Sequence, residues 1–197
     1  MTARASRGRR PGAPDTRAEV LAAARASFGE LGFRGTTIRS VAAAAGVDPA
    51  LVHHYFGTKD DLFVAALEIP VDPREVMAPV VAAGPDGAGE RLLRAFLGVW
   101  DDPDIQPGLL ALARSLLGDD SGPMVRDAFV PVVVGPVLAQ LVADRPEDRI
   151  PLVASQIIGL VVTRYVVALP AMAQAPAEDL VARMGPVLQH YLTGDLG

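Results

Sequence analysis

Few side chains in this sequence are of the types that perform covalent or metal chemistry. The 197 residues include three histidines, one lysine and no cysteine. The lack of cysteine excludes disulfides, thiolate zinc sites, iron–sulfur clusters and a cysteine nucleophile. His53 and His54 are adjacent, and neighbouring side chains on a helix do not face each other, so a shared metal ion is disfavoured. The third histidine, His190, has no obvious nucleophile as a partner.

The sequence motifs of common enzyme classes are missing as well. The chain contains no G-x-x-x-x-G-K-[ST], G-x-S-x-G, H-E-x-x-H or G-x-G-x-x-G segment. Asp101-Asp102-x-Asp104 looks like part of a metal loop, but the ligands that should follow it are absent, which favours a solvated linker. The sequence therefore predicts a protein that is not an enzyme and that has no metal site and no cofactor.

Charge is unevenly distributed along the chain, whose formal net charge is −5. Residues 1–60 carry nine basic and five acidic side chains, whereas residues 61–197 carry nine basic and eighteen acidic ones. The basic N-terminal third indicates a polyanionic partner, and the alternative is a solvated basic tail with no partner. Residues 1–14 are rich in Arg, Gly and Pro and are predicted to be a disordered basic arm.

Half of the residues are apolar, which is enough for a substantial folded core. Two long uncharged stretches, Ala128–Ala143 and Tyr165–Ala177, are shorter than the ~18–20 residues that a membrane-spanning helix needs. The basic N-terminus is not followed by the apolar region of a signal peptide. We therefore expect a cytoplasmic protein with no membrane partner.

Helix-start and helix-stop signals divide the first 67 residues into four helices. The signals are Thr16-x-x-Glu19 and Gly32 for the first helix, Thr36 or Thr37 and Gly46 for the second, Asp48 and Pro49 for the third, and Thr58-x-x-Asp61 for the fourth. Further helices are predicted at about 88–100, 105–118, 122–143, 147–169 and 177–192, with residues 70–87 the least clear. Pro131 and Pro136 should kink the helix over 122–143. The fold class is therefore all-α, with domains at 15–69 and 70–197.

Residues 37–56, TIRSVAAAAGVDPALVHHYF, have the spacing of a helix-turn-helix motif. The small side chains of Ala42, Ala43 and Ala45 allow two helices to approach closely, and Gly46 supplies the turn. In this arrangement, apolar residues of the motif face inward. Outward positions at the start of the second helix fall to Pro49, Ala50, His53 and His54.

The stretch from Thr16 to Leu67 resembles the N-terminal domain of TetR/AcrR-type transcriptional repressors. The matching pieces are Phe28-x-x-x-Gly32-Phe33-x-x-Thr36-Thr37, Ile38-x-x-Val41-Ala42-x-x-Ala45-Gly46-Val47 and His53-x-Tyr55-Phe56-x-x-Lys59-x-x-Leu62. The chain departs from the family at His53, where Tyr is frequent, and at Asp48, where Ser or Thr is frequent. The carboxylate of Asp48 is disfavoured near phosphate, so it should face the N–H groups of its own helix.

This resemblance implies a set of DNA-contacting residues: Thr36, Thr37, Arg39, Pro49, Ala50, His53, His54, Tyr55 and Lys59. Among them Thr37, Tyr55 and Lys59 match phosphate contacts. Arg39 matches a position that can reach a base edge, and the alternatives are a plain phosphate contact or exposure to solvent. The apolar surfaces of Pro49 and Ala50 suit a thymine methyl group.

The resemblance also implies that the C-terminal domain binds a small-molecule effector. Candidate lining residues are Phe96, Trp100, Leu112, Leu116, Met124, Phe129 and Val133. The alternative for each of them is a place in the core. The low content of aromatic and internal polar residues there favours an apolar effector.

The last two predicted helices are expected to form a homodimer face, as the resemblance implies. Its residues are Val153, Ile157, Leu160, Val161 and Arg164 on one helix, and Leu180, Met184, Val187, Leu188 and Tyr191 on the other. The alternative is that these stripes pack only within the chain. The resulting hypothesis is a homodimeric repressor that binds a palindromic operator in double-stranded DNA and is released by its effector. The alternative hypothesis is a helical carrier of hydrophobic small molecules that does not bind DNA.

Overall fold

The computed structural model describes residues 15–118 and 125–197, and across these ranges every regular element is helical. The predicted basic arm at 1–14 and Met124 lie outside the described residues. The chain separates into two compact units, one ending at Ala66 and the other beginning at Leu67. Each unit has its own apolar core, so each is described by itself.

The N-terminal unit consists of four helices. They are α1 (Thr16–Gly35), α2 (Ile38–Ala45), α3 (Pro49–Phe56) and α4 (Lys59–Ala66). Helix α1 packs against α2 and α4, and α2 packs against α3. The aromatic rings of Phe28, Phe33 and Phe63 form one cluster, with ring centroids 5.1 to 5.8 Å apart. This cluster joins the ends of α1 to α4 and gives the small unit a rigid centre.

Short-range capping interactions set the boundaries of these helices. Asp15 caps α1 by accepting from the N–H groups of Arg17 and Ala18, so the predicted capping box of Thr16 and Glu19 is wrong. Gly32 has a φ of 68° and breaks the regular winding of α1, as its position in the sequence predicted. The helix resumes for a short turn that ends at Gly35.

The C-terminal unit contains seven α-helices and two π-helical segments among the described residues. They are α5 (Pro73–Ala82), α6 (Ala88–Trp100), α7 (Gln106–Leu116), the π-helical segment Val125–Val134, α8 (Gly135–Leu138), α9 (Pro146–Leu160), the π-helical segment Val161–Val166, α10 (Pro170–Ala173) and α11 (Ala177–Thr193). The predictions at 88–100, 105–118 and 177–192 agree with α6, α7 and α11 to within a few residues.

Two predicted helices differ in detail from the structure, and a stretch without a clear prediction contains a helix. The helix predicted over 122–143 is π-helical over Val125–Val134 and α-helical only in α8, because Pro131 and Pro136 each remove a backbone donor. The helix predicted over 147–169 ends earlier, because Ala168 adopts a φ of 54°. Helix α5 lies within the stretch that the sequence left unclear, with Asp72 as its cap.

Helices α6 and α11 form the centre of this unit. A Cβ atom on Gly89 would collide with the backbone of Gly185 and Gln189, so these two helices cross at backbone contact. The side-chain oxygen of Gln189 accepts from the N–H of Gly89 at 3.0 Å. Leu93 and Leu188 are fully buried beside this crossing. The close crossing is the fixed frame on which the other helices are arranged.

One helical stretch among the described residues, Pro146–Val166, is by length and composition apolar enough to cross a membrane. A core helix of a folded domain passes the same test. The stretch carries Arg149 and Arg164, both buried and paired with Asp144 and Asp101. The stretch is therefore weak support for a membrane span, and the absence of a membrane partner stays a prediction.

Candidate DNA interface and ligand cavity

The turn between α2 and α3 holds these two helices in the arrangement that the sequence predicted. Thr37 caps α2, since its hydroxyl accepts from the N–H of Ser40 at 3.0 Å while the Ser40 hydroxyl accepts from the N–H of Thr37 at 2.9 Å. Gly46 has a left-handed φ of 67° and ends α2. Asp48 accepts from the N–H of Ala50 at 2.7 Å, so its carboxylate faces its own helix as expected.

Most of the predicted DNA-contacting residues lie on the surface of the N-terminal unit. Thr37, Arg39, Ala50, His53, His54 and Tyr55 are exposed, and Pro49 and Lys59 are half-buried. In contrast, Val41, Ala42 and Val52 are fully buried and hold α3 to the rest of the unit. The burial pattern therefore separates a packing face of α3 from a face available to a partner.

Thr36 is an exception, and its prediction as a DNA contact is wrong. It is only 1% exposed, and its hydroxyl donates to the carbonyl oxygens of Ser27 and Gly32, both at 2.9 Å. These bonds satisfy two carbonyls where α1 is broken at Gly32. Thr36 therefore positions the start of α2, and a buried hydroxyl with these partners does not reach DNA.

Two cations of this unit are held against aromatic rings. The ammonium of Lys59 lies 4.2 Å from the ring centroid of Phe33, at the beginning of α4. The guanidinium of Arg17 lies 5.0 Å from the ring centroid of Phe56, the last residue of α3. Sequence reasoning missed Arg17; its signal is a basic residue in the first turn of a helix, where acidic residues are favoured.

The ring of His53 is oriented by its own helix end. Its Nδ1 lies 2.8 Å from the carbonyl oxygen of Gly57. A carbonyl oxygen only accepts hydrogen bonds, so Nδ1 carries the proton in this contact. The contact that His53 offers to a partner therefore comes from Nε2. A tyrosine, which is frequent at this position in the TetR/AcrR-type family that the sequence resembles, would offer a hydroxyl group instead.

The C-terminal unit contains a cavity of about 240 Å³. Six of the seven predicted ligand-binding residues lie on its wall, and the seventh, Met124, is outside the described residues. The six are Phe96, Trp100, Leu112, Leu116, Phe129 and Val133. All described side chains that line the cavity are apolar, apart from the N–H group of the Trp100 indole. The cavity is large for a folded core, since packed interiors leave few voids bigger than a water molecule.

The cavity wall also includes residues that the sequence did not suggest. Met77 and Val76 of α5 lie on the wall, from the stretch without a clear prediction. Val153, Ile157 and Val161 lie there too, although they were predicted at the dimer face. Only the packing of α5 and α9 around α6 and α7 brings these distant segments to one cavity.

A polar cluster lies beside the aromatic part of the wall. The ring of Trp100 stacks on that of Phe96 at a centroid distance of 5.5 Å and lies tilted against that of Tyr165 at 4.9 Å. The hydroxyl of Tyr165 donates to Asp101 at 2.8 Å, and the guanidinium of Arg164 also donates to Asp101. Burial, together with the bond to Asp101, raises the pKa of Tyr165 well above its ordinary value.

The sequence prediction of the dimer face is wrong for most of its residues, because they do not face outward. Six of its members are buried within the chain itself: Val153, Leu160, Val161, Arg164, Leu180 and Leu188. Ile157, Met184 and Tyr191 are half-buried, and Val187 alone is exposed, at 40%. The apolar stripes of α9 and α11 face α6 and the cavity, because these surfaces supply most of the unit's core.

A four-helix unit with a capped helix-turn-helix, followed by an all-helical unit around an apolar cavity, defines the class of helix-turn-helix regulators with a separate helical domain. Residues 20–66 match the family model described as bacterial regulatory proteins, tetR family. Residues 86–192, more than half of the chain, match the tetracyclin repressor-like C-terminal domain. The chain belongs to the TetR family, which confirms the resemblance and the all-α fold class and agrees with a protein that is not an enzyme.

A solved structure supports the family over nearly the whole chain. A TetR-family regulator from Streptomyces coelicolor A3 is 38% identical, with a TM-score of 0.55, and the match covers 94% of this chain and 98% of that one. The regulator BetI of Brucella anthropi is 44% identical over 54 residues, 27% of this chain and 28% of the relative. BetI of Paraburkholderia xenovorans is 29% identical over 114 residues, 49% of this chain and 58% of the relative.

Proposed function

We propose that the protein is a DNA-binding transcriptional repressor whose N-terminal unit contacts an operator through α3. The observation that carries this proposal is the exposed face of α3, held by a complete helix-turn-helix within a TetR-family N-terminal domain. Ala50 and Pro49 stand at the start of α3, where side chains of a recognition helix meet base edges. Arg39 of α2 is exposed and suits a guanine edge.

Phosphate contacts frame this face. Thr37, Tyr55 and Lys59 are retained from the sequence prediction, and Arg17 is added because its guanidinium is held over the end of α3. A cation held against a ring loses less freedom on binding than one on a mobile side chain. His53 adds a contact through Nε2, to a phosphate when protonated or to a base amino group when neutral.

We further propose that the protein acts as a homodimer on a palindromic operator. Exposed apolar side chains on α9 and α11, Leu152, Ile158 and Val187, replace the buried residues of the sequence prediction as the dimer face. Exposed apolar side chains on adjacent helices are the usual material of such interfaces. A two-fold dimer presents two copies of α3 and therefore favours a palindrome.

Regulation is assigned to the cavity of the C-terminal unit. An apolar effector bound there would lower operator affinity by its preference for the state that does not bind DNA. A cytoplasmic location belongs to the same proposal, since the partner is chromosomal DNA. The cavity alone is also what a carrier of hydrophobic molecules needs, so that function remains the second candidate.

DNA binding separates the two candidates. Fluorescence anisotropy with the DNA upstream of the gene, against a scrambled duplex over a salt series, should show specific and salt-sensitive binding. Arg39→Ala should lose ~1–3 kcal/mol and relax preference at one position per half-site. Arg114→Ala, an exposed arginine of the other unit, is the matched control and should bind as the wild type does. Equal affinity for both duplexes would contradict the repressor function and leave the carrier function as the candidate.

A further inference from the structure

We infer that the cavity selects uncharged, hydrocarbon-rich molecules of about ten non-hydrogen atoms and rejects ions of the same shape. This inference deepens the proposed function, because it names the chemical class of the effector. It rests on the composition of the described wall, on the pairing of the Asp101 carboxylate beside it and on the size of the cavity.

Among the described residues, the wall offers no group that could compensate a buried charge. Twenty-five described residues line the cavity, from Ile69 to Val161, and none of them has a charged or hydrogen-bonding chain apart from the indole of Trp100. An ion that enters such a site loses its hydration and gains no counter-charge, which is strongly unfavourable. A hydrocarbon that enters loses only unfavourable contact with water.

The carboxylate of Asp101, beside the aromatic part of the wall, is already paired with a cation. Asp101 directly follows Trp100, and its two oxygens accept from Arg164 at 3.0 and 3.3 Å and from the hydroxyl of Tyr165 at 2.8 Å. The ring of Tyr165 lies tilted against that of Trp100, at a centroid distance of 4.9 Å. A cationic ligand would have to compete with a buried guanidinium for Asp101, so this carboxylate does not make the cavity a cation site.

The volume bounds the size of the molecule. An apolar protein cavity of about 150 Å³ holds benzene, which has six carbon atoms. The 240 Å³ here corresponds by proportion to about ten non-hydrogen atoms. Leu117 and Ile158 line the cavity and are 47% and 38% exposed, so the wall reaches the surface of the unit at these residues.

A pair of ligands that differ only in charge tests the inference. Dibutyl ether and dibutylammonium have the same shape and are of about the inferred size, and each carries its heteroatom at the centre, where it is buried with both chains. Titration calorimetry and the fluorescence of Trp100, the single tryptophan, should show binding of the ether at least about 100-fold tighter than that of the ammonium. Dipropyl ether, two methylene groups shorter, should bind about 15-fold more weakly than dibutyl ether.

Wall variants show whether the ether occupies this cavity. Ala113→Leu fills the cavity from α7 and should abolish ether binding, whereas Ala111→Leu, exposed on the same helix, should not change it. Ala154→Leu, from α9, repeats the test if Ala113→Leu fails to fold. Ether affinity unchanged in a folded wall variant would overturn the inference.

The remaining outcomes separate the inference from the proposed function. Equal or tighter binding of dibutylammonium would overturn the selection for uncharged ligands, and so would no ether binding up to its solubility limit. Ether binding that leaves operator affinity unchanged would uphold the ligand class and contradict effector release. Ether binding by a protein with no affinity for DNA would uphold the ligand class and leave the carrier function.

Discussion

The guanidinium of Arg164 lies 3.0 Å from the carboxylate of Asp101 and ties the end of α6 to the π-helical segment Val161–Val166. The same guanidinium donates to the carbonyl oxygens of Met172 and Ala175, at 2.6 and 2.9 Å. Arg164 is only 8% exposed. One buried side chain thus satisfies two backbone carbonyls and a carboxylate beside the cavity wall, at the connection between α9 and α11.

Removal of this guanidinium should destabilise the protein. Arg164→Met keeps the apolar part of the side chain but removes the cation paired with Asp101 and the donor to two carbonyls, and we expect a loss of about 2–3 kcal/mol in the free energy of unfolding. The control is Arg183→Met, whose pair with Asp179 is exposed and 3.9 Å long, with an expected change below about 0.5 kcal/mol. Urea unfolding at one protein concentration measures both, and equal values for the two variants would contradict the assigned role.

Tyr165 should make the stability of the protein depend on pH in the alkaline range. Its pKa is raised in the folded protein by burial and by the bond to Asp101, so the folded state holds the phenolic proton more tightly than the unfolded state does. The contribution to stability is present below the ordinary phenol pKa of about 10 and is lost as the pH rises above it. Tyr165→Phe should therefore lose less stability than the wild type between about pH 9 and pH 11. Parallel losses in urea unfolding would show that Tyr165 is not the group responsible.

The contact of Lys59 with DNA should be electrostatic and independent of sequence. Lys59→Ala should weaken binding to all duplexes about equally and lower the slope of log affinity against log salt by about 0.9. Lys59→Arg, which keeps both the charge and the position over Phe33, is the control and should retain the slope. An unchanged slope in Lys59→Ala would place its ammonium away from the phosphates.

The dimer face should respond to a charge on its exposed residues and not through its buried ones. Val187→Asp, on the outer side of α11, should give a folded monomer in sedimentation at micromolar concentration. Leu160→Asp places a charge at a position that is 1% exposed within the chain and should unfold the C-terminal unit instead. Circular dichroism separates the two results. A folded monomer from Leu160→Asp would restore the stripe predicted from the sequence.

Trp100 should contribute to ligand affinity more than to DNA affinity. Trp100→Ala removes the ring that stacks on Phe96 at the cavity wall, and dibutyl ether should bind at least about tenfold more weakly, as judged by calorimetry. Operator affinity without ligand should be unchanged, because the residue lies in the unit that begins at Leu67. Unchanged ether binding would make Trp100 a core residue only and would place the ligand elsewhere.

Short-range signals in the sequence predicted most of the N-terminal unit but not the role of a residue that depends on longer-range packing. Gly46 and Asp48 act through contacts within a few residues, so their roles could be inferred from the sequence and agree with the structure. From the sequence alone, Thr36 and Thr37 are equally good candidates for the cap of α2. The bond from Thr36 to Ser27, nine residues earlier, separates them, because it depends on how α1 packs against the start of α2.

The sequence by itself determined the class of this protein: an all-helical chain with a capped helix-turn-helix, followed by amphipathic helices with apolar stripes. These properties depend on caps, turns and side-chain periodicity, which are short-range interactions. Only the tertiary structure decided that Val153 and Ile157 line a cavity, that Leu160 lies in the core and that Val187 faces outward. Periodicity shows which side of a helix is apolar, whereas the neighbour that covers this side is chosen by long-range packing of the whole unit.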